Sequence, residues 1–238
     1  MIYSEILLAK KENRKLLAIL LDPDKLVINQ LLEICATIKK SPATHIFVGG
    51  SSFEGTHLDQ LILELKTQLN LPIVLFPGNL SQISNKADGI LFLILLSGRN
   101  PDYLIEHQVK AVPILEKTNL DIISTGYILI ESGSETAVQR VSKTKPLARN
   151  NPYYVAQTAK AGQFIGNKII YLEAGSGAKN AVPLEMIQKV SNSISIPLIV
   201  GGGIRSKKQI NDAFDNGADL VVIGTAFEND IHFFNSEL

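Results

Sequence analysis

The stretch Lys168-Ile-Ile-Tyr-Leu-Glu-Ala-Gly-Ser-Gly-Ala178 decides how the chain is read. Ile169, Ile170 and Leu172 form an apolar run that suits a strand covered on both faces, as in a parallel sheet packed under helices. The run delivers Tyr171 and Glu173 directly into a Gly-Ser-Gly turn. An ionised glutamate buried without a partner is strongly disfavoured, so Glu173 is expected at the strand's open end, where a loop meets solvent or substrate. A carboxylate there can also simply cap a loop or pair with a lysine. Gly175 and Gly177 favour a functional reading, because they let backbone amides approach a ligand closely, as a phosphate cradle requires.

Outward from this stretch, one pattern repeats. Leu16–Leu21 is a short apolar run stopped by Asp22-Pro23-Asp24-Lys25, after which Val27, Ile28, Leu31, Ile34, Cys35 and Ile38 recur at helical spacing. His45–Val48, the loop Gly49-Gly50-Ser51-Ser52 and a helix carrying Leu58, Leu61, Ile62, Leu65 and Leu69 follow the same order. Pro72–Phe76 reads as a third strand, yet only about twelve residues, Pro77 to Asp88, separate it from the apolar run Gly89–Leu96. The third helix is therefore expected to be missing or vestigial. A helical stretch around Tyr103–Val112 precedes a strand at Gly126–Glu131, a short capped helix at Ser134–Val141 and a polar segment, Ser142–Arg149, expected to be a mobile loop. Asn151-Pro152 opens a helix that stops at Gly166, Pro183 opens another, and Ser206 caps a third ended by Asn216-Gly217. Ile196–Val200 runs into Gly201-Gly202-Gly203, and Asp219–Ile223 runs into Gly224-Thr225 and a terminal helix. Eight strands alternating with helices, with no low-complexity linker, predict an α/β fold, a single (β/α)₈ TIM-type barrel spanning residues 1–238 as one domain. A doubly wound open sheet is the rival; the glycine-rich turn after strand seven favours closure.

At 238 residues the chain could form one large domain or two small ones, and a composition of 45% hydrophobic and 19% charged residues is ordinary for a soluble enzyme. Twenty-three basic against 23 acidic residues give a net charge of zero, which argues against nucleic-acid binding driven by phosphate contacts. Cys35, the only cysteine, lies in an apolar-periodic segment and reads as a core residue. The start Met1-Ile-Tyr-Ser-Glu-Ile6 lacks the basic and apolar blocks of a signal peptide, and the chain is read as cytoplasmic.

In a barrel, the loops that follow the strands meet at one end, so Asp22, Ser51, Glu131, Tyr171, Glu173, Gly201–Gly203 and Gly224-Thr225 are expected to converge. The loops after strands seven and eight of such barrels often bind phosphate through backbone amides, which makes Gly202, Gly203, Gly224 and Thr225 the expected phosphate contacts. Asp22-Pro-Asp-Lys25 can be an ordinary turn and cap, but Asp22 with a hydroxyl such as Ser51 also suits Mg²⁺, an ion often shared between one carboxylate and substrate phosphates. His45, His57, His107 and His232 show no metal-ligand spacing and read as surface or satisfied core residues.

Leu21-Asp-Pro-Asp-Lys25, Val48-Gly-Gly-Ser51, Gly126-Tyr-Ile-Leu-Ile130, Tyr171-Leu-Glu-Ala-Gly-Ser-Gly177, Val200-Gly-Gly-Gly-Ile204 and Val222-Ile-Gly-Thr225 together resemble the geranylgeranylglyceryl phosphate synthase family, which includes the bacterial heptaprenylglyceryl phosphate synthases. The resemblance spans essentially the whole chain, and that family's barrel also lacks a regular third helix. It implies that a prenyl diphosphate alkylates the free primary hydroxyl of sn-glycerol 1-phosphate. By position it assigns Asp22 and Ser51 to Mg²⁺. It assigns Tyr171, Leu172, Glu173, Ala174, Gly175, Ser176 and Gly177, with Gly202, Gly203, Gly224 and Thr225, to glycerol phosphate. It further implies a homo-oligomer, a dimer or larger, and a lipid product that admits transient membrane contact. Some relatives carry a lysine two positions before the metal aspartate; Leu20 stands there in this chain, which favours the geranylgeranyl over the heptaprenyl branch. Glu173 is expected to act as general base and Tyr171 to orient the acceptor. The gap left by the third helix is expected to pass the prenyl tail through an aliphatic groove. A phosphosugar isomerase or aldolase would use the same glycines but needs a second acid or a Schiff-base lysine, and a non-catalytic phosphate-binding protein would leave the convergence of Asp22 and Glu173 coincidental.

Overall fold

The structure, a computed structural model, describes residues 1–26, 30–50 and 57–234. Eight parallel strands, β1 (Leu16–Leu21), β2 (His45–Val48), β3 (Ile73–Leu75), β4 (Gly89–Leu95), β5 (Asp121–Leu129), β6 (Ile169–Glu173), β7 (Leu198–Gly201) and β8 (Leu220–Ile223), close into a barrel in sequence order. The seam is shut by β8 pairing back on β1, from Leu16↔Leu220 to Ile19↔Ile223. The helices are α1 (Ile2–Lys11), α2 (Leu31–Lys40), α3 (Leu58–Gln68), α4 (His107–Leu115), α5 (Ala137–Ser142), α6 (Pro152–Phe164), α7 (Leu184–Ser191), α8 (Lys207–Asp215) and α9 (Thr225–Asn229). The expected barrel is therefore observed.

Period-two alternation in the strands divides the core into two layers. Inward side chains such as Leu16, Phe47, Val74, Leu91, Ile123, Ile199 and Leu220 fill the barrel, while outward ones such as Ile19, Ile46, Ile170 and Leu172 pack under the helices, with Cys35 buried on α2. The N-terminal helix α1, which sequence patterning did not reveal, belongs to the inner layer. Its Ile2, Ile6 and Ala9, at helical spacing, are buried against the barrel's interior and close the end at which the strands begin. Gly89 makes room for this plug, since a Cβ there would lie 2.8 Å from Ile2 Cδ1. Polar latches hold it: the Tyr3 N–H donates to Asp121 at 2.9 Å, and Lys10 pairs with Asp219 at 2.8 Å.

Between β3 and β4 the only helical element among the described residues is a 3₁₀ turn, Leu80–Gln82, in agreement with the short connection. Three details differ from the expectations. β5 starts at Asp121 rather than Gly126, because the polar Ser124 and Thr125 still pair in the ladder, with Thr125 Oγ1 donating to the Ile123 carbonyl at 2.9 Å. The helix expected at Ser134–Val141 begins at Ala137, where Thr136 and Gln139 form a reciprocal capping box. Finally, Ser142–Arg149 is tied down rather than loose. The Leu147 N–H donates to the Leu129 carbonyl and the Glu131 N–H to the Leu147 carbonyl, both at 2.9 Å, and Leu147 packs against the outer core.

Candidate functional site

At the end where the strands finish, a cavity of about 860 Å³ opens. Asp22, Tyr171, Glu173, Gly175, Ser176, Gly177, Gly202, Gly203, Gly224 and Thr225 all line it. The residues expected to converge from β1, β6, β7 and β8 thus share one space, except Gly201, the last residue of β7, which does not line it. Ser51 lies outside the described residues. Leu172 and Ala174 do not line the cavity: their side chains face the outer layer, since odd and even positions of a strand point to opposite faces. Glu131 is a correction. It follows β5, but its side chain is exposed and stands away from the cavity, while its carbonyl accepts from Arg149 at 3.0 Å.

Glu173 ends β6, buried rather than open to solvent, with 5% of its surface exposed. The Gly175 N–H donates to its Oε1 at 2.6 Å. Burial pushes its pKa up to about 7, opposed by the Gly175 N–H and by the nearby Tyr171 hydroxyl. A carboxyl poised there can take a proton at neutral pH. Tyr171 is fully buried, stacked on Phe76 with ring centroids 5.3 Å apart, and beside Tyr127 at 5.5 Å. These aromatics floor the cavity. The Tyr171 hydroxyl makes no hydrogen bond of normal geometry among the described residues, although it faces the carboxylate closely enough to favour the charged form. Burial, then Glu173, raise its own pKa well above the ordinary tyrosine value, so it is a donor and not a base.

The glycines that end and follow β7 are dictated by this pair. A Cβ at Gly201 would meet Tyr171 Oη at 2.5 Å and Glu173 Oε2 at 2.9 Å, and one at Gly202, where φ is +80°, would run into Glu173 Oε1. Across the cavity, Gly177 has φ +68° and open space where a Cβ would stand, and its N–H donates to Thr225 Oγ1 at 3.3 Å. Ser176 Oγ lies 3.4 Å from the same hydroxyl, so the loops after β6 and β8 are stitched together around a rim of glycine backbone and hydroxyls. Arg205, which sequence reasoning passed over, ties the loops after β6 and β7 by donating to the carbonyls of Ala178 at 2.6 Å and Lys179 at 3.1 Å.

On the β1 side, Asp22 accepts from the Asp24 N–H at 3.1 Å, and Lys25 bridges it, at 3.4 Å, to Glu228, at 2.8 Å. The backbone of Gly50 passes against Asp22, since a Cβ at that glycine would lie 2.8 Å from Oδ1. Among the described residues no three His, Cys, Asp or Glu side chains form a metal cage. A carboxylate such as Asp22, facing a ligand cavity outside any such cage, fits Mg²⁺ only in the mode in which substrate phosphates complete the shell.

The other arm of the cavity is apolar and breaches the barrel wall. It is lined by Phe92, on the outer face of β4, and also by Leu93, on the inner face, together with Ile90, Leu80, Ile83 and Ala111. Phe92, Leu93 and Ile94 are only partly buried, and Phe92 and Leu93 line the cavity itself. β3 and β4 pair only at Val74↔Gly89 and Leu75↔Ile90. With the Phe76 N–H committed to the Val48 carbonyl of β2, the next β3 position facing β4 is Pro77, which has no N–H, and the ladder stops. Two histidines differ from expectation: His107 lines the cavity, edge-on to Tyr103 with ring centroids 4.8 Å apart, and His45 is buried with Nε2 lacking a hydrogen-bond partner among the described residues, where burial, with Arg14 in second place, lowers its pKa to about 4.

The chain is 64% identical over 235 residues to the geranylgeranylglyceryl phosphate synthase of Flavobacterium johnsoniae, covering 99% of this chain and 97% of that one. The enzyme of the same name from Pyrococcus furiosus is 41% identical over 224 residues, covering 92% and 87%. A crystal structure of (S)-3-O-geranylgeranylglyceryl phosphate synthase from Thermoplasma acidophilum, in complex with its substrate sn-glycerol-1-phosphate, superposes with a TM-score of 0.92 at 30% identity over 99% of this chain and 94% of that one. Residues 9–237 match the model of the PcrB family, and the chain belongs to that family.

Proposed function

We propose that this protein transfers a geranylgeranyl group from geranylgeranyl diphosphate to the free primary hydroxyl of sn-glycerol 1-phosphate, forming an ether-lipid precursor and releasing diphosphate. The observation that carries it is the joining, in one cavity, of a glycine-rich anion rim, a buried carboxyl with pKa about 7 and an apolar channel through the wall. The names of the relatives point the same way.

In this reading Gly202, Gly203, Gly224 and Thr225, with Ser176 and Gly177, hold the phosphate of the acceptor. The hydroxyl to be alkylated points at Glu173, and Tyr171 donates to orient it. The allylic C–O bond of the prenyl diphosphate breaks, the electron pair leaves with diphosphate, the acceptor oxygen bonds the allylic carbon, and its proton passes to Glu173. Mg²⁺, held by Asp22 and by Ser51, would supply charge neutralisation of the leaving diphosphate. The aromatic floor excludes water from the allylic cation. The tail leaves between β3 and β4. Leu20, packed beside Gly224 where a lysine stands in some relatives, supports the geranylgeranyl donor. A Schiff-base aldolase lacks support, because Lys110, the lysine that lines the cavity among the described residues, sits on α4 in an ion pair with Glu106 at 3.3 Å and not at a strand end.

We read the protein as a cytoplasmic homo-oligomer, supported by the exposed apolar stripe Ile105, Val109 and Val112 on the turn before α4 and on α4 itself. Among the described residues no helix is long and apolar enough to cross a membrane; the lipid product is what suggests transient membrane contact. Mixing the purified protein with Mg²⁺, radiolabelled sn-glycerol 1-phosphate and geranylgeranyl diphosphate should move label into the organic phase, faster than with farnesyl or heptaprenyl diphosphate. Label that stays in water with all three donors would sink the proposal.

A further inference from the structure

We propose that Gln108 is a positioning residue for the prenyl tail: its side-chain amide replaces the missing β3 donor and holds the barrel wall open where the tail leaves. The inference rests on the prenyl-transfer reading above and names a residue that the reading does not contain.

The β3–β4 ladder ends at Pro77, so the carbonyls of β4 that face β3 lose their partners just where the cavity passes through the wall. In the Leu75↔Ile90 register the N–H that Pro77 lacks would meet the Leu91 carbonyl; at the next carbonyl on that edge, Leu93, the partner comes from α4. Gln108 Nε2 donates to the Leu93 carbonyl and, at 3.4 Å, to the Tyr103 carbonyl. Both amide hydrogens face carbonyl oxygens, so the opposite amide orientation would set oxygen against oxygen and is excluded. Gln108 is 92% buried and lines the cavity, and its Oε1 has no hydrogen-bond partner among the described residues. An uncharged polar side chain buried in an otherwise apolar wall, with half its capacity unused, is not placed there for packing alone. Its position accounts for what it does: spanning from α4 to mid-β4, it satisfies the strand's edge without a β3 neighbour and keeps the two strands from closing over the groove.

The test is the binding of geranylgeranyl diphosphate and of isopentenyl diphosphate, which share a headgroup and differ in tail, measured calorimetrically with Mg²⁺ for the wild type, Gln108→Met and Pro77→Ala. Methionine matches the shape of glutamine without its donors. Pro77→Ala restores an N–H opposite β4 and should draw the seam shut. Both variants are expected to weaken geranylgeranyl diphosphate about tenfold while leaving isopentenyl diphosphate within about twofold. Equal weakening of the two ligands, unchanged affinity, or tighter binding of the long ligand by Gln108→Met overturns the inference, and Pro77→Ala decides alone if the methionine variant does not fold. A wild-type protein that binds both ligands alike overturns the tail reading itself, and this inference with it; a wild type that discriminates while the variants do not differ from it overturns only the role of Gln108.

Discussion

The backbone N–H of Gly175 donates to the Glu173 carboxylate at 2.6 Å, inside a site whose burial drives the same carboxyl toward its neutral form. Burial wins, and the pKa rises from 4.5 to about 7. An acid whose folded pKa exceeds its unfolded value binds more protons in the native state between the two, so stability falls as pH rises through that window and is flat above it. Glu173→Gln removes the penalty. At pH 8 the variant should be more stable than wild type by on the order of 3 kcal/mol, and at pH 4 the two should coincide. Urea unfolding midpoints at both pH values check this; a variant no more stable at pH 8 would mean that the carboxylate is better solvated than its burial indicates.

Thr225 joins two loops that are far apart in sequence, through Gly177 at 3.3 Å and Ser176 at 3.4 Å. Thr225→Val keeps the shape and removes the oxygen. The KM for sn-glycerol 1-phosphate should rise about tenfold with little change in kcat, and Thr225→Ser should restore it. Steady-state kinetics on the two variants would refute the role of this hydroxyl if valine and threonine behaved alike.

Asp22→Asn preserves the acceptor for the Asp24 N–H but removes the charge that faces the cavity. Turnover should fall by about 10² to 10³, and Mn²⁺ bound in the presence of a prenyl diphosphate, followed by electron paramagnetic resonance, should weaken in parallel. Undiminished Mn²⁺ binding would remove Asp22 from the metal site.

Ile6, 1% exposed on α1, plugs the end of the barrel opposite the cavity. Ile6→Ala should cost about 2–4 kcal/mol of stability while kcat below the melting range stays within about twofold. A variant as stable as wild type would mean that α1 is not part of the core.

The strands were legible wherever an apolar run met a hard stop. β1 ends at Asp22-Pro23 and β2 at Gly49-Gly50, and the observed bounds of both match the reading. Asp22, Glu173 and the glycine turns could be gathered in advance because a closed barrel brings every strand end to one rim. The start of β5 was not legible, since Ser124 and Thr125 look like loop and are strand only because neighbours supply their ladder. Glu131 failed for the opposite reason: it sits at the right place in the sequence, but the side chain turns outward. Helix α1 carries a weak amphipathic pattern whose meaning depends on the open barrel end it fills. Arg205 and Gln108 act through backbone carbonyls of remote segments, Ala178 and Leu93, which leave no trace in local spacing.

Glu173 as the base that accepts the acceptor's proton is most directly tested by the single-turnover rate of ether formation against pH, in wild type and in Glu173→Gln. The wild-type rate should climb tenfold per pH unit below a pKa of about 7 and level off above it. The Glu173→Gln rate should show no such limb and lie about 10² to 10⁴ lower on the plateau. A Glu173→Gln protein that forms the ether at the wild-type rate, with the acidic limb intact, would contradict the account.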